Sequence, residues 1–450
     1  MRTSSAGLDS ATPYRHNLGE HLPVDLVGLF CALGYVALAV LAKQSGEPQL
    51  FSFFVLMLWT GLPVLGLYLF ALRRDRPISL GRLFFWALAF RICGLYGGPL
   101  FEDDFFRYLW DGYRFATAGT PYGVAPEAFF VDSSVPAAFQ AVLSQINNPD
   151  LQTIYAPVTQ FVFLLAYWLR PASVEALQVL LILVDLGVIV LLLRLTSPRN
   201  ALLYAWCPLI VKEIAFTAHP DGIGVFLLLA AIVLARDKRW RGSAVLLGLA
   251  AGAKVLALVV APLLLARARP IHWILFVLTI AVLYAPFMIM GGTDLTSFAI
   301  FAREWEFNSA LFGLLAAVMD RFDARVLLGL AYAAFWLAYA RQFVSRQRFS
   351  VPRGDWLFGV LLLVSPVINP WYLIWLLPFA AIYPSAWAWT ASLAALLSYV
   401  SGINLFTDPD MQAYEQPLWA RLLEFALIGA ALLFDLRRRA AASAGRVSNS

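Results

Sequence analysis

An acidic and aromatic stretch from Glu102 to Pro126 contains the residues best suited to chemistry in this sequence. It begins with three consecutive acids, Glu102, Asp103 and Asp104, directly after an apolar segment. A carboxylate beside a second acid and in a low dielectric has a shifted pKa, so it can accept a proton from a hydroxyl group. Asp103 and Asp104 are therefore the candidate catalytic residues.

The residues after these acids predict an amphipathic helix. Charged side chains recur at steps of three and four residues, at Asp104, Arg107, Asp111 and Arg114. Aromatic residues fill the other side, and Gly119 and Pro121 end the helix. Such a helix lies on a membrane surface, where Arg107 and Asp111 could contact substrate. The alternative is a solvated face of mutually paired charges.

Apolar segments must position this helix. Hydrophobic residues make up 61% of the 450-residue chain and charged residues 14%, whereas a soluble protein is about half apolar and a quarter charged. The apolar runs lack strand alternation and predict an all-α polytopic transmembrane helical bundle of about 12 to 14 spans. The candidate spans are 22–42, 50–72, 80–98, 155–170, 175–195, 201–217, 219–236, 243–265, 272–290, 326–342, 356–368, 370–383, 385–400 and 421–436. Together they form a single domain over residues 22–436.

Arginine-rich loops predict the orientation of this bundle, because short basic loops stay in the cytoplasm. The basic clusters lie at 73–76, 341–353 and 437–439. Counting spans between them places both termini, the tails 1–21 and 437–450, in the cytoplasm of a cell-membrane protein. The same count places loops 99–154, 291–325 and 401–420 on the outer face.

One basic loop contradicts this count. Arg236, Lys238, Arg239 and Arg241 would lie outside the cell, against the distribution of positive charge that membrane proteins show. Either a short segment such as 155–170 or 201–217 does not cross the membrane, or the charge bias is overruled at this loop.

Charge and cysteine content exclude other classes. We attribute the net charge of +5 to membrane topology and not to nucleic acid binding. The three cysteines, Cys31, Cys93 and Cys207, all fall in apolar segments, where a free cysteine behaves as a small hydrophobic residue. Neither a disulfide framework nor a zinc site is expected.

Several segments together resemble the GT-C glycosyltransferases that use polyprenyl-phosphate-linked sugars, particularly the bacterial polyprenyl-phosphomannose-dependent mannosyltransferases. The resemblance is found in DDFFRYLWDGYRFATAGTPYGVAP, NNPDLQTIYAPVTQFVF, WCPLIVKEIAFTAHPDG, GLAAGAKVLALVVAP, AREWEFNSALFG and SPVINPWYLIWLLPF. Each motif is weak alone, but their order is fairly specific and covers most of residues 80–385.

The resemblance implies an inverting sugar transfer, with mannose as the first choice, from a polyprenyl-phosphate donor to a glycolipid or glycan acceptor on the outer face. An aspartate in the first outer loop would take the proton from the acceptor hydroxyl. We favour Asp104 over Asp103, because it precedes Arg107 by three residues as in relatives. Glu102 extends the acidic cluster and is assigned to substrate binding. No cofactor is firmly implied, although a divalent cation could bind beside the three acids.

Charged residues within apolar segments are expensive and indicate function. Lys254 could meet the lipid phosphate, or it could form a salt bridge with Asp185 or Glu213. Lys212 and Glu213 point in different directions on a helix and are expected to pair with other elements.

His219 and Asp221 make a poor metal site and are assigned to capping or interhelical bonding. The loop 291–325 contributes Arg303, whose planar guanidinium suits phosphate, and Asn308. Tyr155, Trp371 and Tyr372 begin spans and either line a lipid entry groove or belong to the aromatic belt.

Two other functions are compatible with a multi-span membrane protein. A secondary transporter would show internal repeats and paired broken helices at mid-depth, and no repeated halves are present in the sequence. A non-catalytic lipid-binding subunit would retain the aromatic surface without needing Asp103 or Asp104. An active enzyme should lose transfer when these acids become asparagine.

Overall fold

Apolar sequence and the need to satisfy backbone hydrogen bonds internally produce helices along the chain. The structure is a computed structural model that describes residues 18–44, 49–346, 348–401 and 415–447. Within these ranges the strand-type pairing is a single isolated bridge between Phe307 and Val367. The prediction of an all-α bundle is confirmed.

The α-helices are numbered in chain order. The first ten are α1 (Leu18–Ala42), α2 (Leu50–Arg73), α3 (Leu80–Gly97), α4 (Asp104–Ala118), α5 (Ala137–Leu143), α6 (Pro157–Leu169), α7 (Val174–Leu195), α8 (Pro198–Ala205), α9 (Pro208–Ile210) and α10 (Asp221–Arg236). The others are α11 (Trp240–Ala253), α12 (Ala261–Leu265), α13 (Pro270–Ile289), α14 (Leu295–Glu304), α15 (Leu311–Ala316), α16 (Arg321–Ser345), α17 (Gly354–Val364), α18 (Leu377–Ile382), α19 (Ala386–Ala394) and α20 (Leu418–Val447). Short 3₁₀ helices cover Pro126–Phe129, Val255–Val259, Pro370–Trp375 and Ala395–Tyr399, and a π-helix covers Val211–Phe216.

Six helices in the described ranges are long and apolar enough to cross a membrane, namely α1, α2, α3, α7, α13 and α16. A bent pair, Pro208–Phe216 with Asp221–Arg236, raises this number to seven. The predicted 12 to 14 spans exceed this number, because several predicted spans are broken helices. Prolines such as Pro262 and Pro378 stand near these breaks, where a missing N–H weakens the helical ladder.

Basic residues from distant loops gather at one end of the bundle, which we call the basic end. Arg199 forms a 3.4 Å ion pair with Asp75 after α2, and Tyr68 lies within electrostatic reach of both Arg199 and Arg438. The Arg236 guanidinium donates to the backbone carbonyl of Arg194 at the end of α7. The loop that follows α10 therefore lies with the other arginine-rich loops.

The opposite end holds the loop 99–154, and we call it the cavity end. There Lys43, after α1, lies 3.7 Å from the ring centroid of Tyr96 near the end of α3. Lys43 also interacts electrostatically with Glu175, in the first turn of α7. Helix α7 therefore starts at the cavity end and finishes at the basic end.

This placement decides between the two alternatives that the sequence leaves open for 155–170, a span or a segment that does not cross. The 13 residues of α6 make a helix of about 20 Å, which is shorter than the roughly 30 Å hydrocarbon core. The helix begins near Tyr155 on the cavity wall and ends next to the start of α7. Both of its ends thus lie at the cavity end, and α6 does not cross the bundle.

The predicted span 243–265 is two antiparallel segments. Helix α11 runs from the basic end to Lys254, which is extended with φ −160° and lines the cavity. The 3₁₀ helix and α12 then return to Arg267, whose guanidinium donates to the backbone carbonyls of Phe343 and Arg346 at the end of α16. With α6 not crossing and residues 243–265 crossing twice, the loop 236–242 lies at the basic end and is no longer an exception to the distribution of positive charge.

The loop 99–154 is folded upon helix α4. The predicted helix after the acids is confirmed as α4. It ends, as predicted, at Gly119, which has a left-handed φ of 73°. The Cα of Gly112 approaches α6 so closely that an added Cβ would lie 2.5 Å from the Phe163 carbonyl oxygen. The charged face is not solvated, because Arg107 and Asp111 are buried beneath the loop.

Candidate active site

A cavity of about 720 Å³ opens between the first large loop and the core of the bundle. Its walls come from the start of α4, the segment 147–159, the junction of α11 with the following 3₁₀ helix, α14 and residues 367–372. One part of its lining is polar, with Asp104, Tyr155 and Lys254. Other lining residues, among them Leu258 and Phe298, are apolar. The cavity can thus accept a ligand with one polar and one hydrocarbon part.

Three carboxylates meet at the polar part. Side-chain oxygens of Glu102, Asp103 and Asp104 all lie within 4.8 Å of one another. The amide of Asn147 donates to Asp103 at 2.7 Å and to Asp104 at 3.3 Å. Phe101, just before the cluster, has a left-handed φ of 61°, which turns the chain into α4. This turn and Asn147 together fix the acids beside the cavity.

Burial is the main cause of the pKa shifts in this cluster. Burial and the neighbouring Asp104 raise the pKa of Asp103 to about 6. Burial also raises the pKa of Asp104, while Asn147, Arg107 and then Lys254 act to lower it. Burial and the charge of Asp104 raise the pKa of Glu102 well above its usual range. A raised pKa makes a carboxylate a better proton acceptor.

Asp104 faces the cavity, whereas Asp103 is not part of its wall. The hydroxyl groups of Tyr108 and Tyr155 each lie 3.5 Å from Oδ2 of Asp104 and 3.3 Å from each other. These long contacts leave acceptor capacity on the carboxylate, which has about four lone-pair positions. Of the two predicted catalytic acids, Asp104 is the one placed to reach a bound hydroxyl group.

A buried polar chain continues behind Asp104. The Tyr108 hydroxyl lies 3.2 Å from Nδ1 of His219, and the His219 ring stacks on Trp371 with centroids 4.0 Å apart. Nε2 of His219 lies 3.5 Å from the Glu213 carboxylate. The predicted interhelical role of His219 agrees with these contacts, which fix Tyr108 and Trp371 relative to Asp104.

Lys212 and Glu213 pair with another element, as predicted, because both contact the hydroxyl of Tyr399, and they also pair with each other. Nζ of Lys212 lies 3.3 Å from the Glu213 carboxylate, because the π-helix changes the angle between successive side chains. The pair is fully buried and lies behind the cavity wall.

Lys254 forms a salt bridge with Asp221 and not with the predicted partners, Asp185 or Glu213. Its Nζ lies 2.6 Å from Oδ1 of Asp221, whereas Asp185 is sealed in an ion pair with Arg91. Trp375 donates to the same Asp221 oxygen at 2.8 Å.

Lys254 also lines the cavity. Its Nζ lies 4.5 Å from the ring centroid of Tyr372, and its side chain is 29% exposed. The ammonium group is therefore held in place on a side chain that remains partly exposed and lines the cavity.

Not all predicted binding residues lie on the cavity. Residues of the predicted set that line it are Glu102, Asp104, Arg107, Tyr155, Lys254, Trp371 and Tyr372. The Arg107 guanidinium donates to the carbonyls of Leu151 and Asn148, both at 2.9 Å, so it fixes the loop. Asp111 is buried and accepts from Thr153 at 2.5 Å and Gln160 at 2.9 Å.

Arg303 and Asn308 are also outside the cavity lining. Arg303 is exposed at the end of α14, whose Phe298 and Phe301 face the cavity. Asn308 is buried and donates to the Glu424 carboxylate at about 3.1 Å. Neither residue is brought to the cavity by the described structure.

Sequence reasoning missed several functional neighbours. Asn147, Tyr108 and the pairing of Asp221 with Lys254 were not assigned to the site. Asn147 lies 43 residues from Asp104, so spacing along the chain contains no sign of their contact. The available signal was the position of Asn147 and Tyr108 inside the motifs that carry the family resemblance.

The three clustered acids are close enough to ligate one divalent cation, which prefers oxygen ligands. Glu102 and Asp104 are both in the lining, so such an ion would lie at the wall of the cavity. The donor set fits a hard cation such as magnesium.

Comparison with known protein families gives one match in this region. The family described as alpha-(1->6)-mannopyranosyltransferase, N-terminal domain, matches residues 32–269. Those residues make up more than half of the chain and include α4, the acidic cluster and Lys254. A comparison with curated proteins finds no match.

Proposed function

Because the chain belongs to the alpha-(1->6)-mannopyranosyltransferase family and has helices apolar enough to cross a membrane, we propose that it is a GT-C-type mannosyltransferase that transfers mannose from a polyprenyl-phosphate donor. The acceptor is a hydroxyl group of a glycolipid or glycan. The observation that carries this proposal is the cavity in which Asp104 and Lys254 face the same space beside an apolar wall. The family assignment favours an enzyme over the transporter and scaffold hypotheses.

The cavity supports a single displacement. Asp104 accepts the proton of the acceptor hydroxyl, and the hydroxyl oxygen forms a bond to the anomeric carbon of the donor. The bond between that carbon and the phosphate oxygen breaks, and the lipid phosphate leaves with the electron pair. Attack opposite the leaving group inverts the anomeric configuration. The positive charge of Lys254 stabilises the negative charge that develops on the phosphate.

The two parts of the cavity suit the two parts of such a donor. The polar part offers an ammonium group to the phosphate, and the apolar part, with Val255, Leu258 and Met288, suits a hydrocarbon chain. Asp221 and Trp375 hold Lys254 in place before substrate binds. A pre-positioned charge costs no reorganisation during the reaction.

The distribution of arginines supports an active site on the outer face. The basic end, with Arg199 and Arg236, would lie in the cytoplasm according to the positive-inside rule. The cavity and Asp104 would then lie at the extracytoplasmic surface, and both chain ends would be cytoplasmic. A lipid-linked donor is available at that surface, whereas a nucleotide sugar is not.

An assay with purified protein tests the proposal. Polyprenyl-phosphate-mannose and a mannoside acceptor should yield free polyprenyl phosphate and a product one hexose heavier, and an Asp104→Asn variant should yield neither. A nucleotide-linked mannose should give no product. Turnover with the nucleotide donor, or none with a panel of polyprenyl-phosphate sugars and membrane acceptors, would reject the proposal.

A further inference from the structure

Three hydrogen-bonding groups form a row that leads from Asp104 into the protein, and we call them the tyrosine–histidine chain. The Tyr155 hydroxyl lies 3.3 Å from the Tyr108 hydroxyl, which lies 3.2 Å from Nδ1 of His219. Both hydroxyls also lie 3.5 Å from Oδ2 of Asp104. Each hydroxyl has a single hydrogen, so it donates either along the chain or to Asp104.

The position of the ring hydrogen on His219 determines the direction of this chain. A neutral imidazole has one donor and one acceptor nitrogen, and the partner of one nitrogen sets the role of the other. Nε2 lies 3.5 Å from Oε2 of Glu213. The Glu213 oxygens act as acceptors, because Lys212 donates to them at 3.3 Å and Tyr399 at 2.9 Å. They favour the hydrogen on Nε2, which leaves Nδ1 as an acceptor for Tyr108.

The protein holds the His219 ring in place without help from Tyr108. The His219 backbone N–H donates to the Glu213 carbonyl at 2.9 Å, and the preceding Ala218 has a left-handed φ of 64°. The Gln178 amide donates to two backbone carbonyls of the π-helix before this turn, both at 2.8 Å. Because the ring also stacks on Trp371, Nδ1 stays directed at the Tyr108 hydroxyl.

The contact distances favour hydrogens that point away from Asp104. The Tyr108 hydroxyl is closer to Nδ1 of His219 than to Oδ2 of Asp104, at 3.2 Å against 3.5 Å. A hydroxyl that donates becomes a better acceptor in turn, so Tyr155 is favoured to donate to Tyr108. Oδ2 of Asp104 then keeps its lone pairs for a hydroxyl group that approaches from the cavity.

We propose that His219 is a positioning residue that draws the Tyr108 hydrogen away from Asp104 and so keeps Oδ2 available to the acceptor hydroxyl. His219 is outside the cavity lining and acts only through Tyr108. The inference rests on the proposed function, because it treats Asp104 as the base. It follows that a change at His219 should alter the rate of transfer and not the binding of the donor.

The first test locates the ring hydrogen without any substrate. Protein in lipid nanodiscs carries isotope-labelled histidine, and the His219 signals in the nitrogen NMR spectrum are those, among the four histidines of the chain, that disappear in His219→Phe or His219→Asn. We expect a hydrogen on Nε2 and none on Nδ1. A hydrogen on Nδ1, alone or together with one on Nε2, would overturn the inference, because Nδ1 would then donate to Tyr108.

The second test measures transfer. The ring of His219→Phe can still stack on Trp371 but accepts no hydrogen bond, so Tyr108 should turn its hydrogen to Asp104. The kcat should then fall about tenfold, the equivalent of one hydrogen bond, while the KM for the lipid donor stays unchanged. Adding Tyr108→Phe removes this donor and should restore most of the lost kcat. A histidine with a merely structural role would not be rescued by the loss of a further contact.

Two further variants complete the second test. His219→Asn offers an amide oxygen to Tyr108 and should retain more of the kcat than His219→Phe. His272→Phe makes the same change at the start of α13, at the basic end, and should leave kcat per folded molecule unchanged. A folded double variant no faster than His219→Phe contradicts the inference. The proposed function fails separately, if the unmodified protein does not turn over a lipid-phosphate sugar, and the NMR result does not depend on that outcome.

Discussion

Asp104 and Asp111 are seven residues apart on α4. Asp104 lines the cavity, whereas Asp111 is hydrogen-bonded inside the protein. Oδ2 of Asp104 faces the cavity and lies 3.5 Å from two tyrosine hydroxyls. Oδ2 of Asp111 points into the protein, where Thr153 and Gln160 donate to it at 2.5 and 2.9 Å. The Asp104 carboxylate can therefore accept a further hydrogen bond from a molecule in the cavity. The Asp111 carboxylate is occupied by protein donors and does not line the cavity.

The comparison shows why residue type and spacing do not separate catalysis from architecture. Both acids stand on the charged face of α4, and burial raises the pKa of both. Their difference comes from the segment 147–160, which folds over the middle of α4 and leaves its first turn open. The role of each acid therefore depends on residues that are distant in sequence.

The largest expected effect is that of Asp104→Asn. Removal of the general base should lower kcat by roughly 10²- to 10⁴-fold, the usual contribution of such a group, and leave the KM for the donor nearly unchanged. The measurement is release of polyprenyl phosphate by purified protein. Asp111→Asn is the matched control on the same helix, and equal losses in the two variants per folded molecule would break the comparison.

Lys254→Ala should have the next largest effect. A lysine that stabilises the departing phosphate contributes through charged hydrogen bonds, so kcat/KM should fall roughly 10- to 100-fold. Lys254→Arg should retain part of the rate, because it keeps the charge. Lys238→Ala, at an exposed position of the basic end, is the control, and an equal loss there would show that Lys254 acts only through general charge.

Asn147→Ala should shift the pH dependence of transfer. The Asn147 amide lowers the pKa of Asp104, so its loss should raise that pKa further. The base works when deprotonated, and the rate is lost as the pH falls through its pKa. The acid limb of kcat/KM should therefore move to higher pH, with recovery of the rate under alkaline conditions. A loss of rate that is equal at every pH would contradict this positioning role.

Asp111→Asn should affect stability more than catalysis. The change weakens the hydrogen bonds from Thr153 and Gln160, and the loss of a buried partner costs about 1–3 kcal/mol of the free energy of unfolding. Thermal unfolding in detergent should show a lower midpoint, while kcat per folded molecule stays close to that of the unmodified protein. An unchanged midpoint would mean that Asp111 does not hold the loop.

The smallest effect is expected for Arg303→Ala. The sequence predicts that the Arg303 guanidinium binds a phosphate group, but its side chain is exposed and outside the cavity lining. An exposed charge at such a position contributes little, so kcat/KM should change less than about twofold. A tenfold loss would show that the sequence prediction was right and that Arg303 reaches the phosphate during the reaction.

Local patterns in the sequence determined much of this protein. Composition predicted a helical membrane bundle, and the boundaries of α2 and α3 lie within one or two residues of their predicted spans. The spacing of charges and the glycine at position 119 defined α4. The acidic cluster was also visible, because carboxylates next to an apolar segment are rare and costly. These features depend on neighbouring residues, which a sequence displays directly.

Only the tertiary structure decided which apolar segments cross the bundle and which polar residues meet. Hydropathy measures how apolar a segment is and not where its two ends lie, so it could not distinguish α6, which stays at the cavity end, from a span. The partners Asn147 for Asp104 and Asp221 for Lys254 are separated by 43 and 33 residues. Such contacts form because packing of the whole bundle brings distant segments together, and neither propensity nor periodicity within a segment contains that information.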